Sequence, residues 1–317
     1  MAFFFDTIII SFLIAALLLF ISLWHDRTRH KQSWERRHQI TSAIILFFLA
    51  MSWLTVFWGS FIEPELIIVN QQSIDLPNYK NEPLRIALIS DVHVGPYSQT
   101  WFITRIVKKI KILNPDVVLI AGDIVADDAK QTKYLTPFAK LATLFPIYAV
   151  LGDHDYLVKK RGNKVITNDK MASAIAQALQ KNGAQVLSNQ AVLLKNKIWL
   201  IGIDDISAHK DNLAAALAQT QTNNSLPKIV LVQNPDLALH PLAQKLDLIM
   251  AGNTHGGQIR LPWLGPLGNI PDELGQKYDE GLFDINNTRL FITSGIGSSG
   301  PRARLFNPPE VALLTIF

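Results

Sequence analysis

The sequence predicts an α/β layered domain preceded by a hydrophobic two-helix hairpin. Two charge-free apolar stretches stand at the start, short runs rich in Val, Ile and Leu recur from residue 83 onward, and helical patterns separate several of those runs. With 317 residues, 49% of them hydrophobic, the chain can hold an anchor and one ordinary globular domain. Its mean hydropathy of +0.18 is high for a water-soluble protein.

Residues 7–24 and 40–62 contain no charged side chain, and a bilayer core takes about 20 apolar residues per helix. A secretory signal would open on basic residues; MAFFFD has none, so both stretches read as spanning helices. Between them Arg27, Arg29, Lys31, Arg36 and Arg37 outnumber Asp26 and Glu35, whereas Glu63 and Glu65 follow the second stretch. Basic loops stay cytoplasmic, which puts the loop 25–39 inside and the remainder of the chain on the outer face. The expected organisation is a hairpin over 1–62, a juxtamembrane linker and first strand over 63–82, and the globular domain over 83–317.

The strand candidates are residues 84–90, 116–122, 147–152, 197–203, 228–232, 246–252, 289–295 and 311–317. Continuous apolar runs of this kind suit strands covered on both faces. Thr100–Leu113 and Asp169–Asn182 have helical spacing of their apolar residues. Most of the net charge of +4 sits in the hairpin loop, and no basic face follows residue 40, so no nucleic-acid partner is expected. No obligate protein partner is evident either. Cysteine is absent, which excludes disulfides, thiolate metal sites and cysteine nucleophiles. Histidine and carboxylates must carry any metal chemistry.

Those residue types gather after the strands, where open α/β sheets bind ligands. The run 84–90 leads into Asp91-Val92-His93, 116–122 into Asp123, and 147–152 into Asp153-His154-Asp155. The run 228–232 leads into Gln233-Asn234, and 246–252 into Asn253-Thr254-His255. Singly, each is ordinary turn chemistry. Together, and in this order, they point to one polar site.

Written as DVH, GDIV, GDHD, VQNPD and GNTHGGQ, with the closing SGIGSSGPRARLFNPPE, the series resembles the calcineurin-like metallophosphoesterases, in particular their membrane-associated bacterial branch. The resemblance covers residues 63–317. It implies a four-layer β-sandwich flanked by helices, two divalent metal ions, and a hydroxide that attacks phosphorus in line. Carried over by position, Asp91, His93 and His255 would hold the first ion and Asp123 would bridge. His154 would serve the leaving group, with Asp155 fixing its imidazole tautomer.

The departures fall together. The family's Asn, His and His for the second ion stand here as Asp153, Gln233 and Asn253. An all-oxygen second site suits Mn²⁺, Mg²⁺ or Ca²⁺, with Mn²⁺ or Mg²⁺ expected to support activity. Three states fit this ligand set: a hard second ion, a one-metal enzyme, or a homologue that binds phosphate without turnover.

Arg302 and Arg304, after a Gly-rich turn, are phosphate-binding candidates against the commoner solvated loop arginine. Trp263 and Leu264 are either an apolar lip or packed into the domain, and Lys159, Lys160 and Arg161 form a small basic run near His154. An anchor holds the site near the bilayer and favours lipid-linked or envelope phosphate esters. The similar branch includes hydrolases of UDP-2,3-diacylglucosamine, a lipid A precursor made at the cytoplasmic face. The charge bias instead places this domain on the periplasmic or extracellular side of a bacterial inner membrane, crossed twice.

Overall fold

Both charge-free stretches form helices, and the first runs well past its apolar segment. The computed structural model describes every residue except Met1, Lys31, Asn163, Asn224 and Pro271, so Lys31 of the basic loop lies outside the described residues. Helix α1 spans Ala2–Arg29 and helix α2 spans Gln39–Phe57. Arg27 and Arg29 in the last turn of α1 suit the negative end of its dipole and prolong the helix beyond residue 24. Each is long and apolar enough to cross a bilayer. Their outer faces expose large apolar side chains such as Leu18 and Phe48. Arg27 closes the hairpin by donating to Gln39 O at 2.6 Å and Ser42 Oγ at 2.7 Å.

Past Phe57, α2 loosens into a π-turn over Trp58–Ile62 and a 3₁₀ turn over Glu63–Glu65. The distortion docks the helix end on the globular part. Gly59 O accepts from Arg304 N at 2.8 Å, and the buried Glu63 accepts from Asn307 N at 2.6 Å and Trp58 Nε1 at 2.9 Å.

The strands of the two large sheets are β1 Ile68–Ile74, β2 Leu84–Ile89, β3 Val117–Ala121, β4 Ile147–Val150, β5 Ala184–Val186 and β6 Gln190–Leu194. They continue as β7 Ile198–Gly202, β8 Lys228–Leu231, β9 Leu248–Ala251, β10 Gly281–Ile285, β11 Thr288–Ile292 and β12 Glu310–Ile316. One six-stranded sheet has the order β1-β12-β2-β3-β4-β5, and the other β10-β11-β9-β8-β7-β6. In the first, β2, β3, β4 and β5 run parallel; in the second, β7, β8, β9 and β11 do. Every strand expected from an apolar run is present. The additional strands β5, β6 and β10 are short or half-exposed edge elements, and none is buried along its whole length as the central strands are.

Three packed cores make the layers. Ile86, Leu88, Leu119, Leu231 and Met250 fill the space between the sheets. Helices α3 (Thr100–Leu113) and α4 (Asp169–Lys181) cover the first sheet through Ile103, Ile106, Ile175 and Leu179. Leu213, Ala216 and Leu237 cover the second. Full burial of each such Ile or Leu stabilises the fold by about 2 kcal/mol. The sandwich and its helical layers are those of the expected fold class. Register decides where the site lies: Ile89 pairs with Ile120, and Ala121 with Val150, so the parallel strands end level.

Candidate metal centre

The level strand ends bring the expected residues to one rim. Asp91 and His93 leave β2, Asp123 leaves β3, Asp153 and His154 leave β4, Gln233 leaves β8, and Asn253 and His255 leave β9. Five of them have left-handed backbones, with φ of 51° at Asp91, 44° at His93, 52° at Asp123, 74° at Asn253 and 52° at His255. Such positions cost on the order of 1 kcal/mol or more each and persist where surrounding structure over-determines them. Here the fixing bonds are Asp91 N to Gly122 O at 3.1 Å and His93 N to Asp123 O at 3.0 Å. Glycine is required at 152 and 252 because a Cβ there would overlap the Asp123 and Asp91 carboxylates.

Donor atoms of Asp91, His93 and His255 lie within 4.8 Å of one another, as do those of His93, Asp123 and His154. His93 Nε2 is 3.2 Å from His255 Nε2 and 3.7 Å from Asp123 Oδ2, and His255 Nε2 is 3.8 Å from Asp91 Oδ1. All four residues are buried. Asp91 also accepts from Ser90 Oγ and from Asn253 N at 3.2 and 3.1 Å.

Burial pushes the Asp91 carboxyl up to about 6. It drives Asp123 well above the usual carboxylate range, helped by repulsion from Asp153, Asp91, Asp155 and Asp205. It also holds His93 and His255 well below the usual histidine value, as neutral imidazoles. Neutral imidazoles beside crowded carboxylates are metal-ligating groups awaiting a positive charge. Among the described residues His255 Nδ1 is buried without a hydrogen-bond partner, so no bond on that side of the ring fixes its tautomer. The residues at the first position fit a divalent ion.

The second position is built differently. Gln233 Nε2 donates to Asp123 Oδ2 at 3.3 Å and to Asn253 Oδ1 at 2.6 Å, while Asn253 Nδ2 donates to Asp272. An amide nitrogen, a donor and not a ligand, occupies the inner side. Asp153 lines a cavity of about 380 Å³ together with His93, His154, Pro64, Glu65 and Arg302.

The sequence profile of the calcineurin-like phosphoesterases matches residues 84–260. The chain belongs to that family. A curated relative, the UDP-2,3-diacylglucosamine pyrophosphatase LpxG of Chlamydia trachomatis, is 26% identical over 86% of this chain and 96% of its own length. The phosphodiesterase YaeI of Escherichia coli is 28% identical over 74% of this chain and 82% of its own. An uncharacterised metallophosphoesterase of Campylobacter jejuni is 28% identical over 78% of this chain, which spans 63% of that relative's length. Among solved structures, the phosphopantetheinyl hydrolase of Mycobacterium tuberculosis gives a TM-score of 0.41 at 11% identity, covering 68% of this chain and 90% of its own.

In this calcineurin-like phosphoesterase two expected roles require correction. Asp155 does not touch the His154 ring: its Oδ1 accepts from Ile124 N at 2.9 Å and Val125 N at 3.1 Å, and its Oδ2 from Gly152 N at 3.0 Å. His154 is oriented instead by a hydrogen bond of 3.0 Å from Nδ1 to Ala126 O. Nor is Arg304 a phosphate ligand. Fully buried, it donates to the carbonyls of Gly297, Asn307, Ser294 and Gly295, so it braces the closing Gly-rich loop and turns no donor toward the cavity.

Arg302 does line the cavity, paired with Glu65 at 3.2 Å and stacked over Phe61 and Tyr97. Trp263 is fully and Leu264 largely exposed rather than packed, and Lys159, Lys160 and Arg161 form an exposed hairpin strand. Sequence reasoning missed Asp205 and Asp272, both buried, with Oδ2 unpartnered among the described residues. Asp205 carried the same signal as the others, an acidic pair just after a strand; Asp272 sits in a loop with no pattern.

Proposed function

We propose that this chain is a membrane-anchored, metal-dependent hydrolase of phosphate or pyrophosphate esters, and that its substrate is lipid-linked. The observation that carries the reading is the convergence of Asp91, His93, Asp123 and His255 beside His154, with His93 and His154 lining one cavity. Two imidazoles with two carboxylates suit a first-row ion such as Mn²⁺ better than Mg²⁺, which prefers oxygen ligands. A divalent ion held there supplies positive charge to phosphoryl oxygens and acidifies water.

The chain's own groups do the rest. Ala126 O holds the Nδ1 proton of His154, which leaves Nε2 as the atom that exchanges a proton with the leaving oxygen. Burial keeps His93 and His255 neutral as ligands. Arg302 at the cavity wall offers a guanidinium to a second phosphate or a headgroup.

The lipid-linked substrate is supported by the way the anchor enters the site. Pro64 and Glu65, at the end of the second apolar helix, form part of the cavity wall. Tyr97 in the same wall hydrogen-bonds Asp6 of the first helix. A headgroup in the cavity would therefore leave its acyl chains beside the bilayer. Relatives named UDP-2,3-diacylglucosamine pyrophosphatase are consistent with such a substrate.

Detergent-solubilised protein, stripped of metal and supplied in turn with Mn²⁺, Mg²⁺ and Zn²⁺, tests the reading. Hydrolysis of bis-p-nitrophenyl phosphate and of a diacyl pyrophosphate lipid should return with Mn²⁺. No hydrolysis of either with any ion sinks the enzymatic reading and leaves a phosphate-binding homologue. Hydrolysis of the soluble ester alone removes the lipid assignment.

A further inference from the structure

The second position of the centre, where the sequence places an all-oxygen ligand set, carries an inference that rests on the phosphoesterase reading. Asp123 Oδ2 and Asn253 Oδ1 are two acceptors turned toward one point, and they need either a cation or a donor between them. Asp272 decides which way Asn253 faces. By accepting from Asn253 Nδ2 it turns Oδ1 toward Gln233.

Gln233 has no solvent exposure, and its Nε2 lies 3.3 Å from Asp123 Oδ2 and 2.6 Å from Asn253 Oδ1. One NH₂ group has two protons, and each has an acceptor. The reverse orientation would set Oε1 against two oxygens and repel both. Among the described residues Gln233 Oε1 has no partner, so no bond there competes with the Nε2 pair for control of the amide. Asp153 belongs to none of the clusters of metal-donor groups among the described residues and faces the cavity.

We infer that the Gln233 amide takes the place of a second divalent ion, and that the chain holds one ion, at Asp91, His93, Asp123 and His255. The amide is neutral, so it satisfies the inner oxygens without adding charge. Asp123 thereby becomes a ligand of one ion and a hydrogen-bond acceptor on its other side.

Full-length protein in detergent, stripped and then dialysed against Mn²⁺, is expected to retain one ion per chain by elemental analysis, with the electron paramagnetic resonance spectrum of isolated Mn²⁺. Gln233→Glu exchanges the donor for an acceptor and is expected to raise the content to two, with a spin-coupled spectrum. The triple variant Gln233→His, Asn253→His, Asp153→Asn should do the same if Gln233→Glu folds poorly. Two ions on the unaltered chain overturn the inference and leave the phosphoesterase reading standing. One ion on a folded variant overturns it as well. No bound ion on the unaltered chain overturns both.

Discussion

His93 and His255, 162 residues apart in sequence, meet with their Nε2 atoms 3.2 Å apart and their ring planes 12° from parallel. Two neutral imidazoles presenting like atoms to one point are held there by the packing of the two sheets on each other and gain most from a shared cation. His255→Ala and His93→Ala are each expected to lower Mn²⁺ affinity and turnover by more than about 100-fold, the upper range for residues that only orient ligands. Metal titration followed calorimetrically checks this; unchanged affinity in either variant would remove that residue from the centre.

His154 and Asp155 should separate into chemistry and scaffold. His154→Ala is expected to reduce kcat by roughly 10²- to 10⁴-fold with little change in Tm, as for loss of a proton-transfer group. Asp155→Ala strips three backbone N–H groups of their acceptor and should cost on the order of 3 kcal/mol of stability. Denaturant unfolding of the two variants side by side distinguishes them. A stable Asp155→Ala protein would contradict the scaffold role.

The arginine pair divides in the same way. Arg304→Ala leaves several buried carbonyls without donors and should destabilise the protein by about 3 to 5 kcal/mol. Arg302→Ala, at the cavity wall, should raise KM for a pyrophosphate ester several-fold while Tm holds nearly steady. Equal loss of stability in both would reject the distinction.

Asp205 gives the metal-free protein a pH signature. Burial, with repulsion from Asp153 and Asp204, raises its carboxyl from 3.8 to about 8 in the folded chain. A folded-state value above the unfolded one means that its contribution to stability is full below pH 3.8 and is lost as pH rises through about 8. Asp205→Asn should therefore raise Tm in chelator at pH 9, by roughly 2 to 4 °C for each kcal/mol recovered. Scanning calorimetry at pH 5 and pH 9 reads the difference. A gain of equal size at both values argues against titration of Asp205 as the cause.

The proposed membrane insertion and its orientation are testable without purification. With the basic loop cytoplasmic, alkaline phosphatase fused at Phe317 should be active and a fluorescent protein fused there should be dark. The opposite pair of results would place the site at the cytoplasmic face.

Much of this architecture was legible in the chain because apolar runs and their polar endings are local patterns. The run 84–90 announces a buried strand, and Asp91-Val92-His93 marks where it stops; the same holds for Asp123, Asp153 and His255. The edge strands β5, β6 and β10 are harder to read because three to five half-exposed residues give too short a pattern to set a strand apart from a loop.

The sequence by itself determined the layers, the apolar helices and the residue types available at the rim, since burial follows hydrophobicity and spacing. Only the tertiary structure decided partners. Nothing in Asp155 or Arg304 as letters says that one will grip three backbone amides and the other the carbonyls of a closing loop. Nor does the sequence say which end of the Gln233 amide faces Asp123. A side chain's identity sets what it can donate or accept, but which atoms it meets is fixed by elements brought together from distant parts of the chain.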